Sequence, residues 1–252
     1  MPAVARSEPF REQACPVGTC DGSGWILGPE DVARPCECRA ERLKRGRNRG
    51  IASAIPPRYR GVSFDRPPVS DMARDMGTRH VVQAARDYVD KLDENLGKGK
   101  GIWFMGGTGT GKTTLGMLIA SEALAAGRSV GVYFAPKLLT RIRQTYQEAE
   151  TANAYGQFFD RVTSVDLLYI DDLGSERRTD WVVEQLYAVV NERYESGRAL
   201  LVTSNAEGDV GRGQQQLEEQ IGPRTVSRLV EICGDPLPLF GADHRYSARA
   251  AD

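Results

Sequence analysis

Long apolar runs are missing from this sequence. Nowhere does it string together the roughly 20 apolar residues that a membrane-spanning helix requires, and Met1-Pro2-Ala3-Val4-Ala5-Arg6-Ser7-Glu8-Pro9 has no apolar signal core. Together these absences lead to the expectation of a cytoplasmic protein. An excess of charge is missing as well: 33 Lys and Arg face 34 Asp and Glu, a formal net charge of -1 over 252 residues. That excludes a polycation built for indiscriminate nucleic-acid binding, so any basic surface has to be local. There is no internal repeat and no low-complexity tract. Cysteine nearly vanishes after residue 38: four of the five lie between Cys15 and Cys38, and the fifth is Cys233. In a reduced compartment such clustering points to a metal more than to disulfides, and it leaves Cys233 as an ordinary thiol.

What is present divides the chain in three. The length accommodates one medium domain and a small appendage. Residues 1–54 form the expected appendage, with the spacing C-x4-C-x15-C-x-C from Cys15, Cys20, Cys36 and Cys38. Four thiolates suit tetrahedral Zn²⁺, and Gly18, Gly22 and Gly24 permit the sharp turns of a ribbon knuckle. The alternative is a flexible tail of unliganded thiols. Between Arg39 and Arg49 six basic residues stand against the single acid Glu41, either a solvated tether or a contact for DNA or an acidic partner. In residues 55–76, Ile55-Pro56-Pro57-Arg58-Tyr59 and Arg66-Pro67-Pro68 read as an extended linker or docking strap, because proline disfavours helix in the residue before it. Residues 77–252 then alternate helices and strands. Thr78 is positioned to cap a helix with Val81, Val82, Ala85, Tyr88, Val89, Leu92 and Leu96 on one face.

The stretch with most chemical content is Gly106-Gly107-Thr108-Gly109-Thr110-Gly111-Lys112-Thr113, followed by Thr114. It satisfies G-x-x-x-x-G-K-[ST] at every position. The apolar strand Ile102-Trp103-Phe104-Met105 precedes it and a helix over Thr113–Ala126 follows, the context the motif needs. Glycines let backbone N–H groups turn inward around phosphates, the helix N-terminus adds positive potential, and Lys112 supplies a full charge. Thr113 is the expected Mg²⁺ ligand of a nucleoside triphosphate site. Downstream, Leu167-Leu168-Tyr169-Ile170 is a buried-type strand that ends in Asp171 and Asp172, a Walker B element. Asp171 is assigned to Mg²⁺ and Asp172 to the water that attacks the γ-phosphate. Asn205 closes the next strand, Ala199–Thr203 plus Ser204; alone it would be a turn residue, but in this series it is a candidate sensor of the γ-phosphate. The βα alternation predicts a mostly parallel sheet with helices on both faces.

The ordered series Asp171-Asp172-Leu173-Gly174, Trp181 to Tyr187, Asn191-Glu192-Arg193-Tyr194, Thr203-Ser204-Asn205, Ile221 to Leu229 and Gly241-Ala242-Asp243-His244-Arg245 resembles the DnaC/DnaI-type helicase loaders of bacteria and phages, which group with the IstB transposition ATPases. The resemblance runs from Ile55 to Arg245. It implies an AAA+ fold, ATP as ligand, single-stranded DNA contacts, a replicative DnaB-type helicase as partner and self-association on it or on DNA. It also implies that Arg228 is an arginine finger, with Arg224 one turn earlier as the second candidate; by itself Arg228 would be a surface arginine. The resemblance departs at Asp172, where glutamate is more usual, and the shorter reach leads to an expectation of slow hydrolysis. The DnaI-like loaders are similar in placing a zinc module at the N-terminus. The competing readings are an IstB-like transposition helper, a P-loop nucleotide kinase, for which no acceptor site or arginine-rich lid is visible, and a non-catalytic adaptor.

Overall fold

The computed structural model describes residues 15, 17–20, 25–27, 33–39, 55–147, 154–205 and 209–240. The chain divides into two compact units, Met1–Arg49 and Gly50–Asp252. Arg42 to Arg49, Gly22, Gly24 and the Gly241–Arg245 motif lie outside the described residues. Among the described residues no helix is long and apolar enough to cross a membrane.

In the first unit, β1 (Trp25–Leu27) and β2 (Ala33–Pro35) pair antiparallel, with Trp25 opposite Pro35. The Arg39 guanidinium lies 3.5 Å from the Trp25 ring centroid. In this unit Cys36 and Cys38 are 2% exposed, whereas Val17, Trp25 and Ile26 are exposed.

The second unit is built on one parallel sheet of β3 (Ile102–Gly106), β4 (Val130–Phe134), β5 (Leu167–Leu173), β6 (Ala199–Asn205) and β7 (Leu237–Leu239), in the order β4-β5-β6-β3-β7. The apolar runs of β3 and β6 are buried throughout because both faces of the sheet are covered, as parallel sheets require. Strand alternation sorts the side chains between two cores. Ile102, Phe104, Leu167, Tyr169, Ala199 and Leu201 meet α1 (Val69–Arg74), α2 (Arg79–Asp90), α3 (Leu92–Gly97) and α4 (Lys112–Ala125). Trp103, Met105, Leu168, Ile170, Leu200 and Val202 meet α5 (Ala135–Gln147), α6 (Ala154–Ser164), α7 (Asp180–Glu195), α8 (Val210–Ile221) and α9 (Pro223–Cys233). The chain leaves β3 for the edge strand β4 and returns through β5 and β6, so the C-terminal ends of β3, β6 and β5 stand side by side, each followed by a loop.

Three expectations change in detail. The helix expected from Thr78 to Leu96 is split, with Lys91 at φ -108° and ψ 26° between α2 and α3. Asn95 Nδ2 donates to the Tyr88 carbonyl at 3.0 Å and gives it a partner outside the helical ladder. Thr78 occupies the cap position without capping; its hydroxyl donates to the Met72 carbonyl at 2.7 Å, and Asp75 Oδ1 accepts from the N–H groups of Gly77 and Thr78. Residues 55–76 are not a free extended connector. Pro57–Tyr59 is a 3₁₀ turn, α1 follows Pro68, and Ile55, Val69 and Met72 are buried in the same core as α4. Burial of these three apolar side chains outweighs the proline bias toward extension.

Candidate active site

The residues read as a phosphate loop fall together at the C-terminal end of β3. Gly106 ends the strand, Gly107, Thr108, Gly109 and Thr110 make the turn, and Lys112, Thr113 and Thr114 open α4. Gly111 takes φ 98°, and a Cβ there would come within 2.7 Å of Met72 Cε, so backbone and space both demand glycine. Thr110 Oγ1 donates to the Gly107 carbonyl at 3.0 Å. Lys112 is 7% exposed, and its Nζ donates to the carbonyls of Gly106 at 2.9 Å and Gly107 at 2.6 Å. An ammonium held over a loop at the N-terminus of a helix is a cradle for an anion.

Asp171 and Asp172 make different contacts because the β5–β6 ladder slips between Ile170 and Leu173. Asp172 adopts φ 61° at this bulge, a conformation that Asp tolerates better than most residues. Its N–H donates to Thr203 Oγ1 at 2.8 Å, and its Oδ1 accepts from Asn205 Nδ2. The structure thus joins the two groups read as water-orienting and sensing. Asp171 Oδ1 accepts from Thr113 Oγ1 at 3.0 Å, Tyr169 Oη at 2.6 Å and Thr203 Oγ1 at 2.7 Å. The Thr113 hydroxyl and Asp171 carboxylate are hard oxygen donors side by side, a set that fits Mg²⁺ held between protein, phosphates and water.

Sequence reasoning missed Tyr169, Thr203 and Glu176. Tyr169 was readable in principle, since it lies two residues before Asp171 on the same strand face. Thr203 opens the Thr203-Ser204-Asn205 stretch, but its contact with Asp171 comes from the neighbouring strand and no local pattern shows it. Glu176 is 6% exposed; burial pushes its carboxyl up, while the N–H groups of Glu176 and Gly174 pull it down. The Gln220 side chain donates to the Glu176 carbonyl, tying the loop after β5 to α8. A cleft of about 350 Å³ opens there, bordered by Leu173, Gly174, Ser175, Asn205, Gln216, Leu217 and Gln220.

Arg228 lies away from this cluster. Its guanidinium sits 4.0 Å from the Tyr194 ring centroid and pairs with Glu231 at 2.8 Å. Tyr194 is in the last turn of α7, which leads into the start of β6, whereas Asn205 is at the far end of that strand. Six strand steps separate the two ends, about 20 Å. Arg224 is exposed in the first turn of α9.

The cysteines converge in the other unit. The ligand atoms of Cys15, Cys20, Cys36 and Cys38 all lie within 4.8 Å of one another. The Cys15–Cys36 and Cys20–Cys38 sulfur separations are 3.8 and 3.5 Å. A tetrahedron with Zn–S arms of about 2.3 Å has edges of about 3.8 Å, so the set fits zinc. Burial opposes ionisation of Cys15, yet hydrogen bonds from the Cys20, Thr19 and Val17 backbone lower its pKa to about 5. Burial and the surrounding thiols push Cys38 the other way.

Residues 72–221 match the model of the IstB-like ATP binding protein family, which is more than half of the chain. The chain belongs to the IstB-like ATP-binding family. Among its relatives, the replicative helicase loader DnaC of Escherichia coli (strain K12) is 27% identical over 195 residues, covering 77% of this chain and 71% of that protein. The phage-like element PBSX protein XkdC of Bacillus subtilis (strain 168) is 28% identical over 239 residues, 91% of this chain and 84% of that one. The solved structure of the DnaC helicase loader superposes with a TM-score of 0.63 at 23% identity, over 74% of this chain and all of that chain. This IstB-like protein is therefore an AAA+ ATPase by family and shares the fold of the DnaC loader, and its phosphate loop and paired aspartates occupy the C-terminal edge of the sheet where ligands of such folds bind.

Proposed function

We propose that this ATPase loads a hexameric, DnaB-type replicative helicase, holding single-stranded DNA while ATP is bound and releasing it after hydrolysis. One observation carries the reading above the rest. The chain is similar, over most of the length of both, to a protein named as a replicative helicase loader. In this reading Lys112 and the loop N–H groups of Gly106, Gly107, Thr108, Gly109, Thr110 and Gly111 hold the phosphates, with Thr114 following in the first helical turn. Thr113 and Asp171 hold Mg²⁺, which supplies charge neutralisation at the phosphates; Asp172 orients water and Asn205 senses the γ-phosphate. The hydrogen bond from Asn205 to Asp172 links those last two roles. Residues 1–54, stabilised by zinc, dock on the helicase, residues 55–76 strap the ATPase, and residues 77–252 turn over ATP slowly as a switch.

Two outcomes are expected. The cognate helicase should load onto a closed single-stranded region coated with binding protein only when this chain is present. DNA affinity should be higher in ATP than in ADP and should fall steeply with salt, because basic groups release counterions from phosphates. Equal loading without the chain, together with no association between it and the helicase in ATP, would overturn the reading. The transposition-helper role, to which the family's IstB name points, would then take its place.

Arg228 is proposed to act on the ATP of a neighbouring subunit, because its packing on Tyr194 holds it near the opposite end of β6 from Asn205. Arg228→Ala should lower kcat by about a thousandfold, as removal of an arginine finger does. Mixing Arg228→Ala with Lys112→Ala should restore part of the activity, since one interface then combines an intact site with an intact finger. No recovery in verified mixed oligomers would contradict the assignment; full rescue by Arg224 alone would move the finger one turn earlier.

A further inference from the structure

The buried phenol beside Asp171 belongs to none of the roles above, and its surroundings are built for it. Tyr169 is fully buried within β5, yet its hydroxyl donates to Asp171 Oδ1 at 2.6 Å. The ring lies across α4 at Gly116, where a Cβ would come within 2.4 Å of the ring carbon that bears the hydroxyl and of the hydroxyl itself. A glycine inside a helix costs about 1 kcal/mol relative to alanine, and here its missing side chain is the space the phenol occupies. Apolar burial does not explain the hydroxyl, since phenylalanine would fill the same volume without a polar atom to satisfy.

From this juxtaposition we infer that Tyr169, seated on Gly116, is a positioning residue for Mg²⁺ at the ATP site: its hydroxyl fixes the Asp171 carboxylate in the orientation that accepts the metal. The inference rests on the proposed assignment of Mg²⁺ to Thr113 and Asp171. Three hydroxyls converge on one carboxylate oxygen, from Thr113, Tyr169 and Thr203. Thr113 is committed to the metal in that assignment, so Tyr169 and Thr203 are the two donors that lock the carboxylate plane whether or not the metal is bound. Tyr169 approaches from the same strand and Thr203 from the next, which prevents rotation of the carboxylate about its Cβ–Cγ bond. An orientation fixed in advance costs no ordering when the metal arrives.

The test is the affinity of the full-length chain for a non-hydrolysable ATP analogue, measured by calorimetry at stepped Mg²⁺ concentrations and in chelator. For Tyr169→Phe, the Mg²⁺ concentration that gives half of the metal-dependent tightening should rise about tenfold, the loss expected for one hydrogen bond to a charged group. Affinity in chelator should stay within about twofold, because the phosphate loop is intact, and this also reports that the variant is folded. Thr203→Val should shift the Mg²⁺ midpoint in the same direction, and Thr203→Ser, which keeps the hydroxyl, should restore it. A Tyr169→Phe midpoint equal to that of the natural chain overturns the inference while leaving the metal site standing. A natural chain whose affinity ignores Mg²⁺ overturns the Thr113–Asp171 assignment and the inference with it.

Discussion

Lys112→Ala should bind ATP about a hundredfold more weakly, the loss expected when a charge-assisted contact to phosphate is removed from a buried site. The fold should survive the change. In the structure Lys112 donates to two loop carbonyls, and its removal takes away a buried cation along with those two bonds. The thermal transition without nucleotide should therefore move little, while the stabilisation that ATP confers should fall to about 0.4 kcal/mol at an ATP concentration a hundred times the dissociation constant of the natural chain. A ligand at a hundred times its dissociation constant raises stability by about 2.7 kcal/mol, and that increment is the quantity to compare. Asp172→Asn separates binding from chemistry at the same site. Asparagine is isosteric, tolerates the φ 61° backbone at this position, and can still accept from Asn205 Nδ2 through its carbonyl oxygen. It cannot act as a carboxylate toward water, so ATP affinity should hold while kcat falls about a hundredfold or more. Normal turnover by both variants would mean that the chemistry happens elsewhere.

The residues that make these two experiments possible were legible because their signals are local. A phosphate loop is a contiguous run whose glycines answer backbone demands, and Asp171 and Asp172 end a strand whose apolar character marks it as buried. The four cysteines were legible as a set, although their x4 and x spacings gave no pairing. What remained hidden depends on contacts between distant parts of the chain. Thr203 reaches Asp171 from another strand, across 32 positions. The strand order depends on crossovers that local pattern does not encode. Helices α6 and α8 carry interior glycines, Gly156 in the one and Gly211 and Gly213 in the other, which blur the helical pattern, and β7 has three residues. The split at Lys91 is accompanied by a side-chain hydrogen bond from Asn95 to the Tyr88 carbonyl, which the helical spacing of the apolar residues does not show. The prolines of residues 55–68 were read by their conformational bias, which is real at Pro56 (ψ 145°) but is overridden around it by the burial of Ile55, Val69 and Met72. Arg228 shows the reverse case. Its motif position was readable, whereas its packing on Tyr194, which sets it apart from its own phosphate loop, was not.

Zinc removal should unfold the N-terminal unit and leave the ATPase unit intact. Ordering a residue costs roughly 1.5 kcal/mol in conformational entropy, and burial of large apolar side chains normally offsets it. In the first unit Cys36 and Cys38 are buried, while Val17, Trp25 and Ile26 are exposed. Apolar burial in those residues is too small for the task, and a two-stranded hairpin of three-residue strands is marginal in water. Metal binding can take over, since structural zinc contributes about 10–16 kcal/mol of apparent free energy in small zinc modules. The second unit has two cores across a five-stranded sheet and no share in the thiol cluster. Freshly purified reduced protein should thus contain one zinc per chain by metal analysis. A strong chelator, or the double substitution Cys36→Ser with Cys38→Ser, should open the first unit to trypsin at Arg39, whose guanidinium lies on Trp25, while ATP affinity and the main thermal transition stay unchanged. Under the proposed loader role, helicase association should be lost in the same step, because the first unit no longer has a structure to present. A metal-free preparation that resists trypsin as the zinc-loaded chain does would show that the thiols fold this unit without zinc.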